Sequence, residues 1–164
     1  MISKEMQDAL NEQINAEFYS SYLYSAMSAY CESVNLRGTA RWLSVQAREE
    51  WGHGMKLYGH LIERGGRVQL KAIAAPPMDW ESPTAVFEEV RRHEQKVTGL
   101  IHKLVELASA EKDHAAGNML QWFVNEQVEE EANAEEVLQK VKALSGTSAG
   151  MVMLDQQLGS RKAD

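Results

Sequence analysis

Four stretches of this chain carry apolar residues at the helical period, and each seam is interrupted near its middle by a carboxylate or an amide. The first, capped by Ser3 and running to about Cys31, reads Met6, Leu10, Ile14, Glu17, Ser21, Tyr24, Ser28, Cys31. The second, from about Leu36 to Arg64, reads Leu43, Ala47, Glu50, His53, Leu57, Leu61 and is stopped by Gly65-Gly66. The third follows Ser82-Pro83, an N-cap with proline at the first helical position, and runs to about Ala110 through Phe87, Val90, Glu94, Val97, Ile101, Leu104 and Ala108. The fourth runs to about Leu144 through Ala116, Leu120, Phe123, Gln127, Glu130, Ala134, Val137, Val141 and Leu144. Apolar residues recurring every three or four positions form one face of a helix. The pattern therefore predicts an all-α bundle over about 3–144, a short fifth helix over about 148–158 and a polar tail over 159–164. With only three prolines and 164 residues, one domain covering 1–164 is expected.

Connection lengths constrain the topology. Short turns join the first helix to the second and the third to the fourth, which makes each pair antiparallel. About seventeen residues containing Pro76-Pro77 separate the second from the third, with no helical period. Extended, such a segment spans up to roughly 56 Å, and a helix of this length is roughly 42 Å long. A crossover along the whole bundle is predicted, leaving the second and third helices parallel.

The interruptions point to one site. Helix midpoints fall near residues 17, 50, 97 and 129, so Glu17, Glu50 with His53, Glu94, and Gln127 with Glu130 are expected at one height inside the bundle. Glu50-x-x-His53 places both side chains on one helix face. Alone, the pair reads as hydrogen-bonded core polarity, a proton-transfer pair or two metal ligands. Four buried carboxylates at one level repel and are costly to desolvate. Lys and Arg are missing from the seams at this height, and two divalent cations would balance the four charges. A set of oxygen donors with an imidazole suits iron or manganese, with zinc as a competitor.

Composition narrows the partners. Twenty-four acidic against seventeen basic residues give a formal charge of -7, with no basic stripe to bind nucleic acid. The single cysteine, Cys31, reads as a small core residue and closes no internal disulfide. The charged N-terminal stretch lacks an apolar signal region, and no run reaches the roughly 18 apolar residues of a membrane span. A cytoplasmic protein with no membrane partner is expected.

Glu17, Glu50-x-x-His53, Glu94 and Gln127-Val-Glu-Glu130 resemble the motifs of the bacterial non-haem ferritins, and the likeness extends over essentially the whole chain, crossover and fifth helix included. The resemblance implies a ferritin-like fold, iron storage and ferroxidase activity with dioxygen or peroxide, and a homo-oligomeric shell of twenty-four subunits with the fifth helix at its fourfold axes. A di-iron oxidoreductase or peroxidase without storage is the alternative. One iron would be held by Glu17, Glu50 and His53, the other by Glu50, Glu94 and Glu130 with Gln127 nearby. The general di-iron bundle pattern carries Glu-x-x-His on two helices; here Gln127-x-x-Glu130 replaces the second copy, so the second iron is expected to bind more weakly. No haem is expected, because the bacterioferritin axial methionine position holds Trp51. A single cysteine also excludes a rubrerythrin-type rubredoxin site.

By the same resemblance, Tyr24 hydrogen-bonds to the centre and supplies an electron, against the plainer reading of a core tyrosine. Glu49, Glu126 and Glu129 read as a solvated face, or through the resemblance as a third iron site shared with Glu130. Trp122 reads as a packing residue with an electron relay as the alternative, while His60, His93, His102 and His114 receive no site role.

Overall fold

The computed structural model describes residues 1–162. Its elements are α1 (Lys4–Ser33), α2 (Arg37–Glu63), α3 (Pro83–Ala110), α4 (His114–Leu144) and α5 (Ser148–Gly159). Among the described residues there is no strand. The last two positions of the expected tail, 163–164, lie outside them. No described helix is long and apolar enough to cross a membrane.

Helix ends follow local chemistry. Ser3 and Ser82 sit in extended backbone and accept hydrogen bonds from Met6 N at 2.9 Å and Ala85 N at 3.1 Å. Such caps satisfy one of the amides that a first helical turn leaves unpaired. At the end of α2, Gly65 adopts φ 73°, and Gly66 N donates to Leu61 O and Gly65 N to Ile62 O, both at 2.9 Å. Glycine reaches this left-handed conformation without a Cβ penalty.

The start of α2 is capped from a distance. Leu36 offers no side-chain acceptor there. Asp155 of α5 instead accepts from Gly38 N at 3.0 Å and Thr39 N at 2.8 Å. A Cβ on Gly38 would lie 1.7 Å from the Asp155 carbonyl oxygen, so glycine is what admits α5 this close.

α1 packs along α2 and α3 along α4, α1 also meets α3, and α5 rests on α2 and α4. Two α1 serines donate to α2 carbonyls: Ser21 Oγ to Ala47 O at 2.6 Å and Ser28 Oγ to Ala40 O at 2.8 Å. Both serines are half-buried, and Phe18, Leu23 and Met27 complete the buried face of α1 beside the expected seam. A seam drawn at three-to-four spacing is one line, whereas α1 is covered by α2, α3 and the crossover and buries a wider stripe.

The crossover from Arg64 to Ser82 runs extended along α1. Gln7 Oε1 accepts from Arg67 N, Asn11 exchanges hydrogen bonds with Arg67 O and Gln69 N, and Asn15 donates to the carbonyls of Lys71 and Ala72. Spaced four residues apart, these amides form a ladder for a backbone that has no secondary structure to pair with. At the far end Trp80 meets Tyr30 edge to face, centroids 5.5 Å apart. The linker therefore starts beside the beginning of α1 and finishes beside its end, and α2 and α3 run in the same direction. This is the four-helix bundle with one long crossover and a short C-terminal helix.

Apolar packing falls into two clusters. One gathers Met6, Leu10, Ile14, Leu57, Ile101 and Leu120; the other gathers Leu23, Met27, Leu43, Phe87, Leu138 and Leu154 of α5. Between them lies a polar layer.

Candidate metal centre

Each helix of the bundle delivers a carboxylate or amide to that layer: Glu17 from α1, Glu50 and His53 from α2, Glu94 from α3, Gln127 and Glu130 from α4. All six are buried, the least covered being His53 at 6% exposure. Among the described residues no Lys or Arg is buried, so fixed cations do not balance these groups.

Glu17, Glu50 and His53 bring one ligand atom each within 4.8 Å of one another. His53 Nδ1 lies 3.6 Å from Glu50 Oε2, and Gln13 Nε2 donates to Glu17 Oε1 at 2.8 Å. Glu17 Oε2 and Glu50 Oε1 are buried without a hydrogen-bond partner. A buried carboxylate oxygen without a donor is costly unless it is protonated or meets a cation. Burial, followed by the neighbouring Glu50, raises the Glu17 carboxyl well above the usual range. Burial, followed by Glu94 and Glu130, does the same to Glu50. The donor set and its two open oxygens fit a divalent transition ion bound by carboxylate oxygen and imidazole nitrogen.

The other side of the layer is held differently. Tyr24 donates its hydroxyl to Glu94 Oε1. Gln127 Nε2 lies 3.2 Å from Glu94 Oε2, with Glu94 O and Thr98 Oγ1 each at 3.3 Å. Gln127 thus reaches the centre by supporting Glu94. Glu130 Oε2 accepts from Gln46 Nε2 at 2.6 Å. Burial raises Glu94 above the carboxylate range, and burial with Glu94 beside it brings Glu130 to about 7. Burial and the charge of Glu94 likewise raise Tyr24 well above the usual phenol range, which keeps its hydroxyl a donor.

His53, Glu126 and Glu130 form a second group within 4.8 Å, with His53 Nε2 at 3.7 Å from Glu126 Oε1. Of the three flanking glutamates, Glu126 joins this group, Glu129 is exposed, and Glu49 is held by Arg161 Nη2 at 2.6 Å. Trp122 departs from the packing role its sequence position suggested. It is 37% exposed, stands edge-on to His53 at 5.3 Å and lies under Lys56 Nζ at 4.0 Å. Its helix turns it toward the surface, one position away from the buried Phe123. His93 is buried with Nε2 at 2.7 Å from Ser20 Oγ, and its ring meets Tyr24 edge-on at 5.8 Å.

Gln13, Gln46, Thr98 and Arg161 escaped sequence reasoning. For the two glutamines a signal existed: each precedes a centre glutamate by four residues, one turn away on the same face. Arg161 carried no such signal.

Comparison with known proteins identifies the family. The family model described as ferritin-like domain matches residues 7–144. A bacterial non-heme ferritin of Bacteroides fragilis is 44% identical over 161 residues, covering 98% of this chain and all of the relative. A probable bacterial non-heme ferritin-like protein of Haemophilus influenzae is 41% identical, covering 98% and 97%. An Archaeoglobus fulgidus ferritin engineered into a closed form superposes with a TM-score of 0.98 at 48% identity over the whole of both chains. The open-pore ferritin of the same archaeon superposes at 0.97, with 48% identity and 99% of each chain covered. Matched by the family model through the four bundle helices and aligned almost end to end with these relatives, the chain belongs to the ferritin family.

Proposed function

We propose that this ferritin oxidises Fe(II) at a two-iron centre inside each subunit and stores the ferric product within a hollow homo-oligomeric shell, by family resemblance one of twenty-four subunits. The observation that carries the reading is the pair of buried, partnerless oxygens, Glu17 Oε2 and Glu50 Oε1, beside His53 and within a layer of four glutamates that lacks a buried Lys or Arg. Fe(II) is the substrate. One ion is held by Glu17, Glu50 and His53, and the second by Glu50, Glu94 and Glu130.

Each residue then has a physical task. Glu50, central in the layer, contacts both ions and fixes their separation, so that one oxidant can take an electron from each. Two Fe(II) yield two Fe(III), and dioxygen takes up the two electrons and two protons to leave as hydrogen peroxide; with peroxide as oxidant, water is the product. Four carboxylates favour the extra positive charge of the ferric pair over the ferrous one, which is electrostatic stabilisation of the oxidised product. Tyr24 and Gln127 keep Glu94 aimed by hydrogen bonding. By the family resemblance, Glu49, Glu126 and Glu129 with Glu130 supply a third site through which iron moves from the centre to the store. The same reading places the whole of 1–164 in one domain of a cytoplasmic protein and needs no haem.

The test is aerobic addition of excess Fe(II) to apoprotein, followed by size-exclusion with iron and protein measured in the same peak. Many irons per subunit in a particle of several hundred kilodaltons supports storage. About two irons per subunit in a small oligomer overturns it in favour of a di-iron oxidoreductase.

A further inference from the structure

We infer that Arg161, just beyond α5, is a positioning residue for the second half of the centre: it orients the Gln46 side-chain amide so that the N–H, and not the carbonyl, faces Glu130. The inference rests on the two-iron reading above. Arg161 Nη1 donates to Gln46 Oε1 at 2.8 Å, and Gln46 Nε2 donates to Glu130 Oε2 at 2.6 Å. Gln46 is 1% exposed, so no bulk water competes for its amide.

The orientation follows from donor chemistry. A guanidinium has five N–H donors and no acceptor, whereas a carboxamide has one donor end and one acceptor end. Facing Arg161, Gln46 must present its oxygen, and its N–H₂ is thereby turned to Glu130. Were the amide reversed, two donors would meet at Arg161 and a carbonyl would meet a carboxylate at Glu130. The N–H occupies Glu130 Oε2, and among the described residues Oε1 takes no hydrogen bond, which leaves Oε1 as the open ligand atom.

Arg161 is itself firmly seated. Its guanidinium pairs with Glu49 Oε2 at 2.6 Å and lies 4.6 Å from the centre of the Trp42 ring. α5 is locked in register on α2 by the Asp155 cap and by the glycine contact, where a Cβ on Gly159 would stand 3.0 Å from Gly38 Cα. The C-terminal segment therefore reaches the metal layer through two hydrogen bonds, from Arg161 to Gln46 to Glu130. Partners of this kind, one step behind a ligand, typically change metal affinity about 10- to 100-fold when removed.

The experiment is an anaerobic Co(II) titration of the apoprotein shell, followed by visible absorption, on wild type, Arg161→Ala, Gln46→Leu and the double variant, each confirmed as assembled by size-exclusion. Co(II) reports its ligand field without turnover. Wild type is expected to show two binding phases per subunit, the first tighter. Arg161→Ala is expected to weaken the second phase about tenfold, leave the first unchanged, and have no further effect in the Gln46→Leu background. An unchanged second phase, equal weakening of both phases, or an undiminished Arg161→Ala effect without Gln46 overturns the inference. Fewer than two phases in wild type overturns the two-iron reading and this inference with it. Two phases in wild type and an unaltered Arg161→Ala overturn this inference alone.

Discussion

The two halves of the polar layer hold their carboxylates differently. Around His53, Glu17 and Glu50 each keep a buried oxygen without a donor. Across the layer, Glu94 receives Tyr24 and Gln127, and Glu130 receives Gln46. Neutral donors can keep the second half in shape with no metal present. The first half has only a proton or a cation to relieve its open oxygens. On the proposed two-iron reading, the difference predicts that one half binds a divalent ion tightly and the other more weakly. A cation entering the second half meets Glu94 oxygens that already accept hydrogen bonds and one free oxygen of Glu130, and the imidazole within reach of Glu130, that of His53, also faces Glu17 and Glu50.

Glu50→Ala should have the largest effect, since Glu50 serves both halves. Initial Fe(II) oxidation, followed by stopped-flow absorbance, is expected to fall on the order of 100-fold, about 2.7 kcal/mol of barrier. A rate within a few-fold of wild type would remove Glu50 from the centre. Glu94→Ala separates the halves: anaerobic Zn(II) calorimetry should lose the weaker of two binding events per subunit and keep the tighter one. Loss of both events would show that the halves are not independent. Fe(II) oxidation should slow sharply in this variant, with the shell still assembled.

Metal removal should expose the dependence of the whole carboxylate layer on a cation as a pH effect. The raised carboxyls take up protons on folding, so their contribution is complete below the ordinary carboxylate range near 4.5 and is lost as pH rises through the folded values, about 7 for Glu130. The melting temperature of the apoprotein should therefore fall between about pH 5 and 8, while Zn(II)-loaded protein stays level over the same window. Parallel curves would show that these groups are not protonated in the apoprotein.

Neutral substitution should act with opposite sign on the two halves. Glu17→Gln in the apoprotein places an amide N–H beside Glu50 and should stabilise the fold by roughly 1–3 kcal/mol. Glu94→Gln keeps one acceptor but sets its N–H against the other donor, Tyr24 or Gln127, and should destabilise it. Denaturant unfolding of both apoproteins decides the point, and equal signs would erase the distinction. The smallest effect is expected from Tyr24→Phe, which leaves Gln127 holding Glu94: about 1 kcal/mol of apoprotein stability and a change of a few-fold in oxidation rate, read by the same unfolding and stopped-flow assays.

The carboxylate layer and the supports behind it were not equally legible. Glu17, Glu50, Glu94 and Glu130 stood out because a charge on an apolar seam contradicts the period around it. Gln13 and Gln46 did not, since each lies one position off the apolar seam, beside Ile14 and Ala47, although both sit one turn before a glutamate. Trp122 was misread because adjacent helical positions differ by about 100°, and a one-residue offset from Phe123 is enough to turn a side chain from core to surface. Glu49 looked equivalent to Glu126 in the sequence. Arg161, more than a hundred residues away, draws Glu49 aside while Glu126 stays near His53.

Local periodicity, caps and connection lengths determined the helices, their antiparallel pairing, the long crossover and the height of the polar layer, because each depends on residues within a few turns or on the reach of the chain. The tertiary structure alone decided which carboxylate oxygens are left open, which are claimed by Tyr24, Gln127 and Gln46, and how α5 caps α2 and sends Arg161 back toward the centre. Those are contacts between segments far apart in sequence, made by side chains whose direction is set by packing, and no spacing along the chain encodes them.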